Sequence, residues 1–221
     1  MNITKQQLAQ MIDHSLLRPN ATLNELKKLC EESIQYGFKA VCVNPIHVEE
    51  AARILKGGKV LVCSVVGFPF GTHAPETKAF ETAKVIRLGA REVDMVIRVG
   101  ALKEGRDQEV MEDIRAVVQV AKGSPVKVIL ETCYLTQEEK VRACKLCVEA
   151  GASFVKTSTG FASGGASLED VKLMRETVGK SLGVKAAGGI RTLEDAIKMI
   201  EAGANRLGTS GSVAMIKELQ D

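Results

Sequence analysis

One segment occurs twice in the chain, as Glu149-Ala-Gly-Ala-Ser-Phe-Val-Lys-Thr-Ser-Thr-Gly160 and, with changes, as Glu201-Ala-Gly-Ala-Asn-Arg-Leu-Gly-Thr-Ser-Gly211. A third stretch, Leu88-Gly-Ala-Arg-Glu-Val-Asp94, resembles both. In each copy a glycine follows a helical pattern and precedes a short apolar run. This order is typical of a helix that ends in a left-handed residue just before a strand. The repeat therefore predicts a series of similar helix-strand units.

Short apolar, β-branched runs continue this alternation along the chain. They are Met11–Leu17, Ala40–Val43, Val60–Val66, Val93–Ile97, Val126–Leu130, Phe154–Thr157, Val184–Ala187 and Arg206–Thr209. Such runs are typical of strands buried on both faces of a parallel sheet. Eight βα units predict an α/β fold, a (β/α)8 TIM barrel with an additional N-terminal helix, formed by residues 1–221 as a single catalytic domain. A doubly wound open sheet stays an alternative, because alternation alone does not show closure.

Capping patterns mark where the helices begin. In a capping box, a hydroxyl and the side chain three residues later satisfy free N–H groups of the first turn. Three pairs fit this pattern and two fit it more loosely: Thr4 with Gln7, Thr22 with Glu25, Thr136 with Glu139, and then Ser167 with Asp170 and Thr192 with Asp195.

The composition excludes several classes of protein. The chain has 221 residues, of which 45% are hydrophobic and 26% charged, and its mean hydropathy is +0.04, so it can bury a core. The net charge of +3 is spread along the chain, which gives no reason to expect nucleic acid as a partner. The N-terminus lacks the apolar run of a signal peptide, and no stretch is long enough to span a membrane. We expect a cytoplasmic protein that binds neither membrane nor nucleic acid.

The six cysteines are expected to be buried thiols rather than disulfides, as is usual in the cytosol. Cys144 and Cys147 form a lone C-x-x-C inside a helical pattern. Zinc would need a second pair or a histidine cluster, and the three histidines are scattered. We therefore predict two core thiols and no metal site.

Three charged residues interrupt otherwise apolar strands. Counting five residues on from Gly89 and Gly151 leads to Asp94 and Lys156, which the strand period of two places on equivalent faces. Lys185 lies in the next strand along, in Gly183-Val-Lys-Ala-Ala. An unpaired buried ammonium is costly, so the alternatives are lysines that extend from a strand end, structural ion pairs, or a functional site. Because these residues lie near the predicted carboxyl ends of strands, the functional interpretation is favoured.

The same count from Gly37 and Gly203 leads to Cys42 and Gly208, so these two residues should lie at the equivalent level of their strands. We expect all four positions to face one mouth or the interior of the barrel.

Imine formation is the chemistry that a lysine in such a position suits. A lysine attacks a carbonyl only as the neutral amine, yet its ordinary pKa of ~10.4 keeps most molecules charged at neutral pH. A second ammonium ~5 Å away would favour the neutral form by ~3 kcal/mol. Lys185 is placed to do this to Lys156, and Asp94, paired with Lys185 or with a water, would move protons between the intermediates.

Glycine-bearing segments follow the last two predicted strands, Ala187-Gly-Gly-Ile-Arg-Thr192 and Gly208-Thr-Ser-Gly-Ser212. In barrels this region often binds phosphate through backbone N–H groups, although glycine also serves tight turns. Neither segment matches a nucleotide-binding loop. A phosphate site is the interpretation that their location favours.

Five segments together resemble the deoxyribose-phosphate aldolases. They are Ala40-Val-Cys-Val-Asn-Pro45, Glu92-Val-Asp-Met-Val96, Val155-Lys-Thr-Ser-Thr-Gly160, Val184-Lys-Ala-Ala-Gly-Gly-Ile-Arg191 and Arg206-Leu-Gly-Thr-Ser210. The resemblance begins at Ile12-Asp-His-Ser-Leu-Leu17 and covers nearly the whole chain. It implies a class I aldolase that reversibly splits 2-deoxy-D-ribose 5-phosphate into acetaldehyde and D-glyceraldehyde 3-phosphate.

The resemblance also implies residue roles. Lys156 would form the Schiff base, Lys185 would be its cationic neighbour, and Asp94 would donate and accept protons. The implied substrate-binding set is Asp13, Cys42, Thr159, Gly188, Gly189, Gly208 and Ser210. Within it Gly188, Gly189 and Ser210 would hold the phosphate. No cofactor and no metal is expected, the partners would be small phosphorylated sugars and aldehydes, and the implied assembly is a homodimer.

Two departures from the family pattern stand out. Some members have a lysine after Ser-Thr-Gly, where this chain has Phe161. Long-form members end in a tyrosine thought to reach the active site, whereas this sequence ends in Gln220-Asp221.

Two other functions fit the residues. One is another imine-forming or phosphate-binding barrel that acts on a different sugar phosphate. The other is a non-catalytic protein that binds phosphosugars and uses the lysines only to hold charge. Trapping with acetaldehyde and borohydride separates the last from an enzyme, because binding alone leaves no covalent adduct.

Overall fold

A closed barrel of eight parallel strands forms the centre of the molecule. This is a computed structural model, and it describes residues 3–219. The strands are β1 (Ile12–Leu16), β2 (Ala40–Val43), β3 (Leu61–Val66), β4 (Glu92–Val96), β5 (Val126–Ile129), β6 (Phe154–Lys156), β7 (Gly183–Ala187) and β8 (Arg206–Thr209). Each strand pairs with the next, and β1 pairs with β8, so the sheet closes. The predicted (β/α)8 barrel is confirmed, the open-sheet alternative is wrong, and every predicted strand is within one residue of the observed one at either end.

Ten helices surround the barrel in the described residues. They are α1 (Lys5–Ala9), α2 (Leu23–Tyr36), α3 (Val48–Ile54), α4 (Pro75–Arg87), α5 (Val99–Lys103), α6 (Asp107–Val120), α7 (Gln137–Glu149), α8 (Leu168–Val178), α9 (Leu193–Glu201) and α10 (Ser212–Glu218). Short 3-10 helices span Pro45–His47 and Thr132–Tyr134. The expected additional N-terminal helix is α1, which precedes β1.

The predicted local signals define the ends of these elements. Full capping boxes begin α1, α2, α7 and α9, and the Ser167 hydroxyl accepts from the Asp170 N–H at the start of α8. The four glycines that end the repeated helices have positive φ, as a left-handed helix end requires: Gly37, Gly89, Gly151 and Gly203. These signals place each strand at a fixed distance from the preceding helix.

The apolar core lies between the sheet and the helices. It is built from the outward-facing strand residues, such as Val41, Val93 and Val155, and the inward faces of the helices. Among the described residues, one small apolar cluster lies inside the barrel, formed by Ala40, Cys42, Cys63 and Val65. TIM barrels usually fill this space with layers of branched apolar side chains. Here much of the interior holds charged side chains instead.

The cysteines follow the sequence-based expectation with one exception. All six are free thiols, and five are buried. Burial raises the pKa of Cys144 to about 12 and that of Cys147 well above its ordinary value, which fits inert core thiols. The expectation is wrong for Cys133, which is exposed because it lies in the short 3-10 helix that follows β5.

No helix among residues 3–219 has the length and apolar character needed to cross a bilayer. The chain end at Gln220-Asp221, where the sequence departs from long-form members, lies outside the described residues.

Candidate active site

Asp94 lies at the centre of the charged interior. Its carboxylate accepts hydrogen bonds from Lys127 at 2.8 Å on Oδ1, and from Lys156 at 2.8 Å and Lys185 at 2.7 Å on Oδ2. The three lysines come from β5, β6 and β7, the strands that follow β4 around the barrel. Lys156 and Lys185 both donate to Oδ2 of Asp94. The distance between their nitrogens is therefore at most the sum of these two hydrogen-bond lengths. The sequence-based placement of Asp94 opposite Lys156, with Lys185 beside it, is what the structure shows.

Two further carboxylates and an arginine extend this network toward β1 and β8. Asp13 accepts from Lys185 and, at 2.8 Å, from Arg206. Glu92 accepts from both guanidinium nitrogens of Arg206 and lies 2.7 Å from the Lys127 nitrogen. Each member of the network is at most 8% exposed in its side chain. Buried charges need this degree of pairing to be tolerated.

The pKa directions follow from this pairing. Burial alone would raise the pKa of Asp94, but Lys127, Lys156 and Lys185 hold it well below its ordinary value. Burial also opposes ionisation of Asp13, yet Lys185, Lys127 and Arg206 lower its pKa to about 2. For Lys185 burial favours the neutral amine, and Asp13 and Asp94 outweigh it and raise the pKa above the ordinary value. Asp94 is therefore a carboxylate and Lys185 an ammonium at neutral pH.

The network contains more cations than carboxylates. Among the described residues it joins four basic side chains to three acidic ones, Asp13, Glu92 and Asp94. If all were ionised, a surplus of one positive charge would be buried, which is costly in a low dielectric. Loss of one proton from a lysine removes this surplus.

Lys156 is the network cation that lines the neighbouring pocket. This cavity of about 360 Å³ lies at the carboxyl ends of the strands. Its walls are formed by residues that follow β1, β6, β7 and β8, and six residues expected from the sequence are among them: Lys156, Thr159, Gly188, Gly189, Gly208 and Ser210. The Lys156 amine therefore meets the space where a carbonyl compound can bind.

Glycines shape the pocket wall near β7 and β8. Gly188 and Gly189 have φ of +89° and +80°, values that side chains rarely adopt, and a Cβ at Gly189 would point into open space. A Cβ on Gly208 would lie 3.0 Å from Cε of Lys185. Gly208 thus makes room for the lysine beneath it, while Gly188 and Gly189 leave their backbone accessible to a ligand.

Asp13 and Cys42 are the two expected substrate-binding residues that lie outside the pocket. Both are fully buried beneath the pocket and do not line it. Asp13 serves as an ion-pair partner of Lys185 and Arg206, and the Cys42 thiol neighbours Cys63 on β3. In this structure they contact the ion network instead of the cavity.

Several residues of the candidate site escaped the sequence-based prediction. Lys127, Glu92 and Arg206 belong to the network, and Glu131 lies two residues after the end of β5. Lys127 carried the same signal as Lys156, a lysine inside an apolar strand, and Glu92 lies two residues before Asp94 and so on the same face. Ser15 and the exposed side chains of Arg18 and Arg191 also line the pocket.

The fold brings together two groups of side chains that could hold a metal, although spacing along the chain offered none. They are Cys42 with Cys63 and Asp94, and Asp13 with Cys63 and Glu92. Each carboxylate in them already accepts from a lysine or arginine. A divalent cation placed there would be repelled by the surrounding ammonium groups, so the residues do not fit a metal centre.

A TIM barrel whose pocket contains a lysine amine, paired with a carboxylate and a second ammonium, defines a class of enzyme: the aldolases that work through a lysine Schiff base. Residues 7–217 match the family described as DeoC/LacD family aldolase, and the chain belongs to this family.

The relatives agree with this assignment. The chain is 61% identical over 211 residues to a deoxyribose-phosphate aldolase of Geobacillus sp. (strain WCH70), with 95% of each chain covered. It is 56% identical to the deoxyribose-phosphate aldolase of Carboxydothermus hydrogenoformans, covering 98% of this chain and 97% of the relative. Among solved structures, the tetrameric deoxyribose phosphate aldolase from Aeropyrum pernix superimposes with a TM-score of 0.91 at 33% identity, covering 97% of this chain and 91% of that one.

Proposed function

We propose that the protein is a class I aldolase that reversibly cleaves 2-deoxy-D-ribose 5-phosphate to acetaldehyde and D-glyceraldehyde 3-phosphate through a Schiff base on Lys156. The main support for this proposal is the position of Lys156. This lysine belongs to the charged network, lines the pocket and donates a hydrogen bond to Asp94. Relatives that share more than half of the sequence bear the name of this activity.

The reaction begins with the surplus proton of the network leaving Lys156. Its free amine attacks the C1 aldehyde of the open-chain sugar, and loss of water gives the iminium. The iminium draws the electrons of the C2–C3 bond, the C3 hydroxyl loses its proton, and glyceraldehyde 3-phosphate leaves. Protonation of the remaining enamine carbon and hydrolysis of the imine release acetaldehyde and restore the amine. Lys185 and Asp94, 2.7 Å apart, form the pair that passes protons to and from these intermediates.

We place the phosphate end of the sugar at the pocket wall formed by Gly188, Gly189 and Ser210, which is called the phosphate wall here. Gly188 and Gly189 offer accessible backbone there, and Ser210 adds an exposed polar side chain. Arg18 and Arg191 line the same cavity and supply positive charge, which compensates for the apolar Phe161 at the position where some family members have lysine. Thr159 lies between this region and Lys156 and is assigned to a sugar hydroxyl.

Trapping with acetaldehyde and borohydride tests the proposal. We expect reduction to leave an ethyl group, about 28 Da, on Lys156. Peptide mapping identifies the site, and Lys156→Met should carry no adduct in the pocket. An adduct on Lys185 would reverse the two roles, and no adduct at all in a folded protein would favour the non-catalytic binding function.

A panel of sugar phosphates separates the proposed substrate from those of other imine-forming barrels. Cleavage of 2-deoxyribose 5-phosphate should exceed that of the other pentose and hexose phosphates, and dialysis against EDTA should leave it intact. Activity lost with EDTA and restored by zinc or cobalt would contradict the Schiff-base mechanism.

The cellular setting and assembly belong to the same proposal. We infer that residues 1–221 act as one catalytic domain in the cytoplasm, where six free thiols would stay reduced. We expect a homodimer, since Phe70 and Phe80 are exposed apolar side chains that a second copy could cover, whereas the Aeropyrum pernix relative is described as tetrameric. Sedimentation velocity gives the mass of the assembly; a monomer or tetramer would contradict this expectation.

A further inference from the structure

Glu131 has an unusual backbone for a residue with a side chain. It lies two residues beyond the end of β5 and has φ of 54° and ψ of 62°, in the left-handed region that favours glycine. Such strain persists only where the surrounding structure imposes it, and it is frequent at functional sites. The residue is 3% exposed, so its carboxylate lies inside the protein.

Both oxygens of the Glu131 carboxylate accept hydrogen bonds from Thr159. Its Oε1 accepts from the Thr159 N–H at 3.1 Å, and its Oε2 accepts from the Thr159 hydroxyl. No lysine or arginine within residues 3–219 is recorded as its ion-pair partner, in contrast to the carboxylates of the network. Both oxygens of Glu131 act as acceptors in these two hydrogen bonds.

This contact fixes the hydrogen-bonding role of the Thr159 hydroxyl. Its proton is donated to Glu131, and its oxygen accepts from the Phe161 N–H at 3.0 Å. A hydroxyl oxygen has two acceptor sites, so one remains, and Thr159 lines the pocket. Toward a ligand Thr159 can therefore act only as an acceptor, and it fits a hydroxyl group that donates.

The height of Thr159 in the pocket indicates which part of the ligand it meets. Its neighbours along the chain lie beside the phosphate wall, since a Cβ on Gly188 would be 3.3 Å from Cβ of Ser158 and 3.7 Å from Cα of Gly160. Lys156 lies three residues earlier, at the pocket floor. A group at Thr159 is thus between the imine carbon and the phosphate.

We propose that Glu131 is a positioning residue that holds Thr159 as an acceptor for the hydroxyl next to the reacting carbonyl of the phosphorylated aldehyde, and so determines the preference for hydroxylated acceptors. The proposal rests on the proposed aldolase function. It assigns to Glu131 a contribution to substrate discrimination and none to imine formation.

The test uses two acceptors with acetaldehyde as donor: D-glyceraldehyde 3-phosphate and 3-phosphopropanal, which lacks only that hydroxyl. In Glu131→Gln the amide oxygen still accepts from the Thr159 N–H, but the NH2 group donates to the Thr159 oxygen and turns its proton toward the pocket. We expect kcat/KM for glyceraldehyde 3-phosphate to fall about tenfold or more, as for a lost buried hydrogen bond, and that for 3-phosphopropanal to stay within about twofold.

Three further variants make the result specific. Thr159→Val should show the same loss of selectivity, and adding Glu131→Gln to it should change little more, since the two residues act as one unit. Glu131→Gly removes the backbone strain of a side chain at positive φ. It therefore serves as the test variant if Glu131→Gln folds poorly, and it should show the same loss of selectivity. Thr132→Val is the matched control, because this buried hydroxyl has no recorded hydrogen-bond partner, and it should leave the ratio unchanged.

Borohydride trapping on Lys156 separates this inference from the proposed function. Wild-type adduct formation in Glu131→Gln together with a changed acceptor ratio supports the inference. Equal losses for both acceptors, or no loss, in a folded variant that still forms the adduct would overturn it and leave Glu131 as a loop clamp. Failure of the wild-type protein to form the adduct would instead refute the Schiff-base function.

Discussion

Lys156 and Lys185 bind the same carboxylate oxygen, yet their surroundings give them different chemistry. Lys185 also pairs with Asp13 and lies completely buried, whereas Lys156 borders the cavity. Among the described residues Lys156 has one carboxylate partner, Asp94, whereas Lys185 has two. Pairing within the network therefore distinguishes the proposed nucleophile from its neighbour.

Replacing Lys185 tests this explanation. In Lys185→Leu the network would have as many cations as carboxylates, so Lys156 would be needed as an ammonium to balance Asp94. The pH above which imine formation reaches its plateau should rise by on the order of one to two units, and turnover at neutral pH should fall. Stopped-flow measurement of trapping against pH checks this. A lower rate with an unshifted profile would show that Lys185 only positions a water or Asp94.

Asp94→Asn addresses proton transfer at the same scale. The amide keeps the shape of the carboxylate, so some imine trapping should remain. It accepts no proton from the lysines, however. Exchange of the methyl protons of acetaldehyde with deuterium oxide should nearly stop, because it needs repeated proton transfer to and from the enamine. NMR follows this exchange directly, and wild-type exchange in the variant would remove Asp94 from the mechanism.

Ser210→Glu tests the phosphate wall. A carboxylate would be placed beside the phosphate, and like charges ~4 Å apart cost on the order of several kcal/mol at an effective dielectric of ~20. Cleavage of 2-deoxyribose 5-phosphate should lose orders of magnitude in kcat/KM, and that of unphosphorylated 2-deoxyribose much less. The ratio of the two substrates is the informative quantity, since misfolding would lower both. An unchanged ratio in a folded variant would place the phosphate elsewhere.

Local signals in the sequence located all eight strands and the starts of five of the ten helices in residues 3–219. The Thr136–Glu139 box and the left-handed Gly151 bracket α7, and the count from Gly151 places Lys156 at the correct level. What the sequence did not show were the ion pairs beyond Asp94, Lys156 and Lys185. Arg206 reaches Glu92 across 114 residues, and neither strand carries a local signal that its charge will meet the other. Glu131 was missed because neither its φ nor its bond to Thr159 has a signature in the residues around it.

The cap of α7 offers a test at the element scale. Thr136→Ala removes the acceptor for the Glu139 N–H and should cost about 1 kcal/mol in the free energy of unfolding, while Thr136→Ser should keep most of it. Urea unfolding monitored by circular dichroism measures both. Equal stability of the alanine variant and the wild type would mean that packing of α7 alone fixes its start.

Among the described residues, the charged interior joins six strands of the barrel, β1 and β4 to β8, into one unit. Asp13 on β1 binds Lys185 on β7 and Arg206 on β8, and Asp94 on β4 binds Lys127 on β5. An interior of this kind gives up part of the apolar packing that usually stabilises a TIM barrel and replaces it with charge pairing. The whole molecule should therefore respond to acid more strongly than an apolar barrel does.

Asp13 is one of the three network carboxylates that contribute to this response, with Glu92 and Asp94. Its pKa is about 2 in the folded protein and near 3.8 in the unfolded chain, so the unfolded state takes up protons first as the pH falls. The stabilisation is fully present above pH 4 and is lost as the pH falls toward 2, by on the order of 2 kcal/mol for this group. Unfolding in urea at several pH values should show this slope, and Asp13→Asn should flatten it. A slope unchanged by the substitution would assign the acid response to other carboxylates.

The pairing of β1 with β8 also sets a condition on the timing of synthesis. During synthesis Arg206 leaves the ribosome 193 residues after its partner Asp13. Until that last strand emerges, β1 has an open edge and the interior charges stay hydrated. The network of the nascent chain is thus incomplete until β8 has been synthesised, and the lysine amine reaches its final surroundings only when β1 and β8 meet.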